Sequence, residues 1–286
     1  MIESGKVAPD RVLRATAPTI DGPFYENGVA VDPGTVTVGI TDQAGNVVLA
    51  PGATTGGTGT NARTRALTAA QAAELDRLAA TWSSSTKGDI VTYVEVVGGF
   101  LFSLAEARAD PDLVDTTEYT ADELKVARTL AESALEDACG RAFVPRYSRE
   151  VLTGGGYRLT LARTSIRSIR SVTVNGTALT ATQIAGLRFD GRHVHYSGGW
   201  FSDDGGVVID YEHGMDFPPP RLARAALILA KNWLIKGPID DRAVSIPAGD
   251  AGGVISLATP GVRGAVFGIP EVDLVVQRYA RNVRVG

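Results

Sequence analysis

Three histidines, His193, His195 and His213, are the only ones in the chain. His193 and His195 stand two apart, so on a strand both point to one face, as two ligands of a metal site must. No carboxylate is spaced to orient them, and we read them as ladder residues of a polar strand. A metal-dependent hydrolase using this pair is the alternative they leave open. Cys139, the single cysteine, lies on the apolar side of a helical pattern without a histidine nearby. It reads as a small core residue, and one cysteine excludes both an intramolecular disulfide and a cysteine-based zinc site. Asp203-Asp204 and Asp240-Asp241 fall in loop-like stretches as solvated turn residues. Gly154-Gly155-Gly156 lacks the lysine and helix of a phosphate cradle and reads as a tight strand connection. No nucleophile elbow, zincin or dinucleotide fingerprint is present. The expectation is a non-enzyme with no catalytic, metal or cofactor site.

The elements that carry these residues change character along the chain. Thr35 to Ile40 alternates, Asp42 to Asn46 supplies a turn, and Val47-Val48-Leu49 returns as a partner strand. Pro51 to Thr60 is loop-like, Ala62 to Leu67 a further strand, and Ile90 to Val97 a β-branched strand. Between them, Thr68 and Gln71 form a capping-box pattern that predicts a short helix with Leu75, Leu78 and Trp82 on its apolar side. Residues 1–105 therefore read as a β-sandwich-like domain. The acid-rich stretch 106–119 has no clear period and contains Pro111, so it reads as a linker.

Thr120 and Glu123 make a second capping box, opening a helix over 121–141. Its stripe is Leu124, Ala127, Ala131, Ala134, Leu135 and Ala138, and Gly140 stops it. From 146 to 213 the period is two, with Asn175-Gly176 as a hairpin turn, which predicts an all-β insert. Pro218-Pro219-Pro220 then leads a helix over 221–236 that is apolar around most of its circumference and so needs burial on more than one side. Residues 239–268 are Gly-rich without period, a long loop where function is expected to reside. Gly268-Ile269-Pro270 opens a last helix over 271–283 with a valine stripe. The fold class is α+β.

Composition narrows the partners. Of the 286 residues 44% are hydrophobic but only 7% aromatic, so cores must be built from Ala, Val, Leu and Ile. Residues 1–120 hold 8 Lys+Arg and 15 Asp+Glu, a net of −7, whereas residues 121–286 hold 20 and 17, a net of +3. With 17 of those 20 bases arginine, the second part suits multi-donor interface contacts. A pI near 5.5 disfavours tight DNA binding. The amino terminus has no apolar signal-peptide core, and the longest apolar run, Leu222 to Ile235, is too short and too charged to span a bilayer, so no membrane partner is expected.

Taken in order, ALEDACGRAFVPRY, the β insert with SVTVNG, the strand end VVIDYEHGMDFPPP, the helix RLARAALILAKNWLIKG and the segment GIPEVDLVVQRYAR resemble the head-to-tail connector, or adaptor, proteins of long-tailed bacteriophages. The resemblance covers about residues 120–282; residues 1–105 look like the added β-domain of adaptors from phages that infect actinobacteria. It implies an adaptor domain over 120–286, a structural protein of the virion, assembled in the host cytoplasm. It also implies a homo-oligomeric ring, typically of twelve copies, between the portal protein and a tail-completion or tail terminator protein. Genomic DNA would pass through the lumen without tight binding. Expected contact residues are Arg221, Arg224, Trp233, Arg242, Val254, Ile255, Leu257 and Arg263. The alternative is a non-catalytic binding module whose β-domains recognise a surface glycan or protein, with exposed aromatics near Tyr93 or Trp200.

Overall fold

The computed structural model describes residues 2–6, 8–56, 61–200, 206–235, 245–247, 254–256 and 266–280. The helices among them are Leu104–Arg108 (α1), Ala121–Cys139 (α2), Ala181–Ala185 (α3), Pro220–Leu234 (α4) and Pro270–Tyr279 (α5). The amino-terminal strands are Ile2–Glu3 (β1), Asp10–Leu13 (β2), Thr19–Pro23 (β3), Tyr25–Glu26 (β4), Val29–Ala30 (β5), Val36–Thr41 (β6), Val47–Ala53 (β7), Ala62–Ala66 (β8), Asp76–Ser84 (β9) and Gly88–Val97 (β10). Then come Arg146–Leu152 (β11), Arg158–Thr160 (β12), Ile166–Val174 (β13), Thr177–Ala178 (β14), Arg188–Asp190 (β15), His193–His195 (β16) and Val207–His213 (β17). Ser245–Pro247 (β18) and Val254–Ser256 (β19) pair antiparallel. The chain is α+β, as its periodicities predict. It forms two compact units, each from two separated stretches: Met1–Phe100 with Val144–Asp216, and Leu101–Phe143 with Phe217–Gly286.

In the first unit, one sheet runs β2-β10-β9-β6-β7, with β2 parallel to β10 and the other neighbours antiparallel. Leu78, Ala80 and Trp82 on β9 and Ile90, Val94 and Val96 on β10 alternate into one core, which the β3–β8 pair closes with Ile20. That is the sandwich-like arrangement expected of residues 1–105. The buried Trp82 indole N–H donates to Thr92 Oγ1 at 2.9 Å, and the β3 backbone passes so close over its ring that a Cβ on Gly22 would lie 2.4 Å from it.

The helix expected after Thr68 does not form. Its capping hydrogen bonds do: Thr68 N–H donates to Gln71 Oε1 and Gln71 N–H to Thr68 Oγ1. After that one turn the chain becomes β9, because Leu78, Ala80 and Trp82 reach the core only at a period of two. Pro51 and Gly52, read as loop, extend β7 instead.

The remaining strands of this unit form the sheets β11-β17-β13-β14 and β12-β16-β15 around Trp200, Tyr211, Val194 and Ile209. Asn175 and Gly176 both have positive φ, 47° and 79°, and join β13 to β14 as their types predict. The period did not reveal α3, whose capping box is Thr180 and Gln183.

In the second unit, α2 packs against α4 and α5. Leu124, Ala127, Ala131, Leu135 and Cys139 are buried as a stripe, and Gly140, at φ 67°, ends the helix. The same helix also buries Arg128, Glu132 and Glu136, a polar row at spacing four. Glu132 Oε1 accepts the Leu101 N–H at 2.6 Å, Arg128 donates to the Phe102 carbonyl at 3.5 Å, and Glu136 Oε1 accepts the Phe143 N–H at 3.2 Å. The row therefore holds both ends of the stretch 101–143.

Residues 106–119 carry ordered structure. Ser103 and Glu106 cap α1 reciprocally, Pro111–Leu113 forms a 3-10 turn, and Arg108 donates to the carbonyls of Leu113, Asp115 and Tyr119. One arginine thus satisfies three carbonyls that a period-based reading leaves to solvent.

Two substitutions test these features by denaturant unfolding. Gly22→Ala should destabilise the first unit by about 1–3 kcal/mol through overpacking against Trp82, with a changed Trp emission in the native state. Glu132→Ala should cost about 1–3 kcal/mol by removing the acceptor of the buried Leu101 N–H.

Candidate functional site

Of the residues the sequence offers for bond chemistry, the structure describes the three histidines and Cys139. His193 and His195 lie on β16 facing the same way, and Thr160 Oγ1 sits 3.0 Å from His193 Nδ1. Among the described residues no group of three or more His, Cys, Asp or Glu is placed to hold a metal ion. His213 is on β17, buried, with Ser148 Oγ 3.0 Å from its Nε2. Burial, then the charges of Arg163 and Arg146, push its pKa down to about 3, so the ring is neutral. Burial also pushes the Cys139 thiol up to about 11, far from a thiolate at neutral pH. Asp203-Asp204 and Asp240-Asp241 lie outside the described residues. The connection through Gly154 to Gly156 leads from β11 to β12.

The binding-module alternative required exposed aromatics. Trp200 is instead fully buried, its indole N–H donating to the Val194 carbonyl at 3.2 Å. Tyr93 is exposed, with the Arg77 guanidinium 4.7 Å from its ring centroid.

A surface feature does emerge in the second unit, from the packing of α4 on α5. Pro220 starts α4 and pre-sets its first turn; Leu222, Ala225, Ala226, Leu229 and Ala230 point inward. This turns Arg221 and Arg224 outward. On α5, Val272, Val275 and Val276 point inward, leaving Glu271, Leu274 and Arg278 outside. Between the two outer faces runs an open groove of about 300 Å³ lined by Arg221, Arg224, Glu271, Leu274, Val275 and Arg278. Arg224 is ion-paired with Glu271, and that bond, with the carboxylate charge, raises the guanidinium pKa. Arg221 and Arg278 add positive charge beside Leu274, which is 65% exposed. The groove joins an apolar anchor to guanidinium donors, the composition of a protein contact.

Of the expected contact residues, Arg221 and Arg224 meet here. Trp233 is exposed near the far end of α4, about 18 Å along the axis from Arg221 at 1.5 Å per residue. Val254 and Ile255 belong to β19, with Ile255 in register with Ile246 of β18. Arg242, Leu257 and Arg263 lie outside the described residues. Leu274 and Arg278 were not singled out by the sequence, although their spacing of four on α5 places them on one helix face. Among the described residues, Leu227, Ile228 and Leu234 of α4 are half-buried. No helix among the described residues is long and apolar enough to cross a membrane.

Comparison with known proteins finds no matching family model and no matching curated protein. Among solved structures, the chain is similar to one in the neck of an empty GTA particle computed with C6 symmetry, at 19% identity and a TM-score of 0.45, over 65% of this chain and 93% of that one.

His213 gives the first unit a pH dependence of defined sign. An unfolded histidine titrates near 6.5 and the folded one near 3, so between these values the unfolded chain holds the extra proton. The contribution is complete above pH 6.5 and is lost as pH falls toward 3. Denaturant titrations should show stability falling by about 1.4 kcal/mol per pH unit below that point from this group, and His213→Gln should remove that share of the slope.

Proposed function

We propose that the chain is the subunit of a head-to-tail adaptor ring in a long-tailed phage or phage-like particle. It is a non-catalytic virion protein, assembled in the host cytoplasm, that joins portal to tail and extends the DNA channel. The observation that carries this reading is the α4–α5 groove, with Leu274 exposed among Arg221, Arg224 and Arg278. Apolar area of this kind on a helical pair is stabilised by covering it, and arginines around an apolar anchor favour a protein over solvent as the cover. It coincides with the segments that resemble adaptors, the Pro-led α4 and the Gly-Ile-Pro-opened α5.

In this reading residues 120–286 supply the adaptor domain, residues 1–105 an accessory β-domain, and 106–119 the connection between them. Twelve copies close the ring, and the portal and a tail-completion or terminator protein cover its two ends. The acidic pI suits a DNA conduit: each neutralised phosphate adds a counterion-release term, so a strongly basic lumen would hold DNA in place.

Native mass spectrometry and electron microscopy of the purified chain, alone and with portal protein, test the reading. The expected result is a closed ring that joins portal complexes, and Leu274→Glu should shift it to smaller species while leaving the melting temperature within about 3 °C of the parent. A strict monomer that never associates with portal would overturn the proposal.

A further inference from the structure

The sheet β12-β16-β15 puts one face into the core and the other into solvent. Leu159 and Val194 point inward. On the outward face, register sets Arg158, His195 and Arg188 in one row across the three strands, and Thr160, His193 and Asp190 in the next. Arg158 and Arg188 therefore flank His195 from either side, about 10 Å or two strand spacings apart.

Several other arginines of the first unit are ion-paired. Arg11 pairs with Glu95, Arg63 with Asp32, Arg149 with Asp210, Arg167 with Asp216 and Arg170 with Glu212. Among the described residues, Arg158, Arg188 and the adjoining Arg192 have no carboxylate within ion-pair distance. Their clustering is felt at His193, whose pKa is lowered first by desolvation and then by Arg158 and Arg192, with Asp190 opposing. Exposed arginines with no ion-pair partner among the described residues are completed by a carboxylate from another molecule.

We propose that this face is one half of a contact between two copies of the chain, and that the other half is the acid-rich edge of the neighbouring copy formed by Asp115, Glu118 and Asp122. The inference rests on the reading that copies pack side by side. A closing ring needs two different, complementary patches on each protomer. The chain carries both signs, −7 over residues 1–120 and +3 over the remainder.

The acidic edge is pre-organised. Asp115 accepts the N–H groups of Thr117 and Glu118 at 2.7 and 3.1 Å, Glu118 accepts the Tyr119 hydroxyl at 2.9 Å, and Asp122 is 88% exposed. The pattern also matches in its exception. Asp190, the acid within the cationic face, has a counterpart in Lys125, which pairs with Asp122 at 2.8 Å on the acidic edge. An uninterrupted polyanion such as DNA offers nothing to Asp190, so a mixed protein surface fits better. The acidic edge also adjoins the exposed apolar side chain of Val114.

The test is a charge swap in the full chain, read by sedimentation at low salt. Arg158→Glu with Arg188→Glu, and separately Glu118→Lys with Asp122→Lys, should each weaken self-association by about tenfold or more, and carrying all four should restore most of it. Arg158→Gln with Arg188→Gln serves if the reversal does not fold, and should give the weaker loss together with a shallower salt dependence. Undiminished assembly in either arginine variant, or no recovery in the fourfold variant, overturns this inference while leaving the ring intact. Failure of the unaltered chain to associate overturns the adaptor reading as well. A labelled DNA duplex is the control: duplex binding that the arginine variants lose, without loss of self-association, would assign the face to phosphate and overturn the contact between copies.

Discussion

The second unit depends on a buried polar row in α2. A helix whose apolar stripe is mostly alanine buries little area per residue, and its orientation is weakly defined by that stripe alone. Arg128, Glu132 and Glu136 supply the missing definition by engaging backbone groups of Leu101, Phe102 and Phe143. Buried charges cost several kcal/mol each unless they are paired and hydrogen-bonded, so this arrangement is stable in only one register of helix against flanking chain. With those two ends fixed, α4 and α5 find a defined partner in α2, and the groove on their outer side follows.

Arginine is used in two distinct ways. Among the described residues of the first unit, six arginines are held by carboxylates: Arg11 and Arg146 both reach Glu95, Arg149 reaches Asp210, which also accepts from Tyr147 and Ser171, and Arg63, Arg167 and Arg170 pair with Asp32, Asp216 and Glu212. Partly buried pairs of this kind favour one strand register over its alternatives. Other guanidinium groups stay outside, around Leu274 on the helical unit and on β12 and β15 of the first unit. Five planar donors retain their value at a solvent boundary until a partner's carboxylate arrives, and a fold spends nothing internally by leaving them there.

Local signals were legible to different extents for identifiable reasons. Thr120 with Glu123 and Thr68 with Gln71 are the same capping pattern, and both sets of hydrogen bonds form. Only the first is followed by residues whose burial works at a helical period; after the second, Leu78, Ala80 and Trp82 belong to a strand. The pair Asn175-Gly176 was decisive alone because a two-residue hairpin needs positive φ at both positions. Arg108 was opaque, since its three carbonyl partners follow it by five to eleven residues along a chain without period. Within the groove, Arg221 and Arg224 stood out in a Pro-led helix, whereas Leu274 and Arg278 acquire meaning only through the neighbouring helix.

By itself the sequence determined the α+β class, the capped start of α2, the Pro-led starts of α4 and α5, the principal hairpins and the mismatch of charge along the chain. These rest on turn chemistry, capping and periodicity, which act within a few residues and need no distant partner. The tertiary structure alone decided that residues 1–100 share a compact unit with 144–216, that Glu132 and Glu136 lie inside, that Trp200 is core, and which arginines pair with carboxylates among the described residues. Each of those outcomes depends on what lies across a sheet or beneath a helix, where sequence separation reaches tens of residues and burial, not spacing, sets whether a charge must be paired.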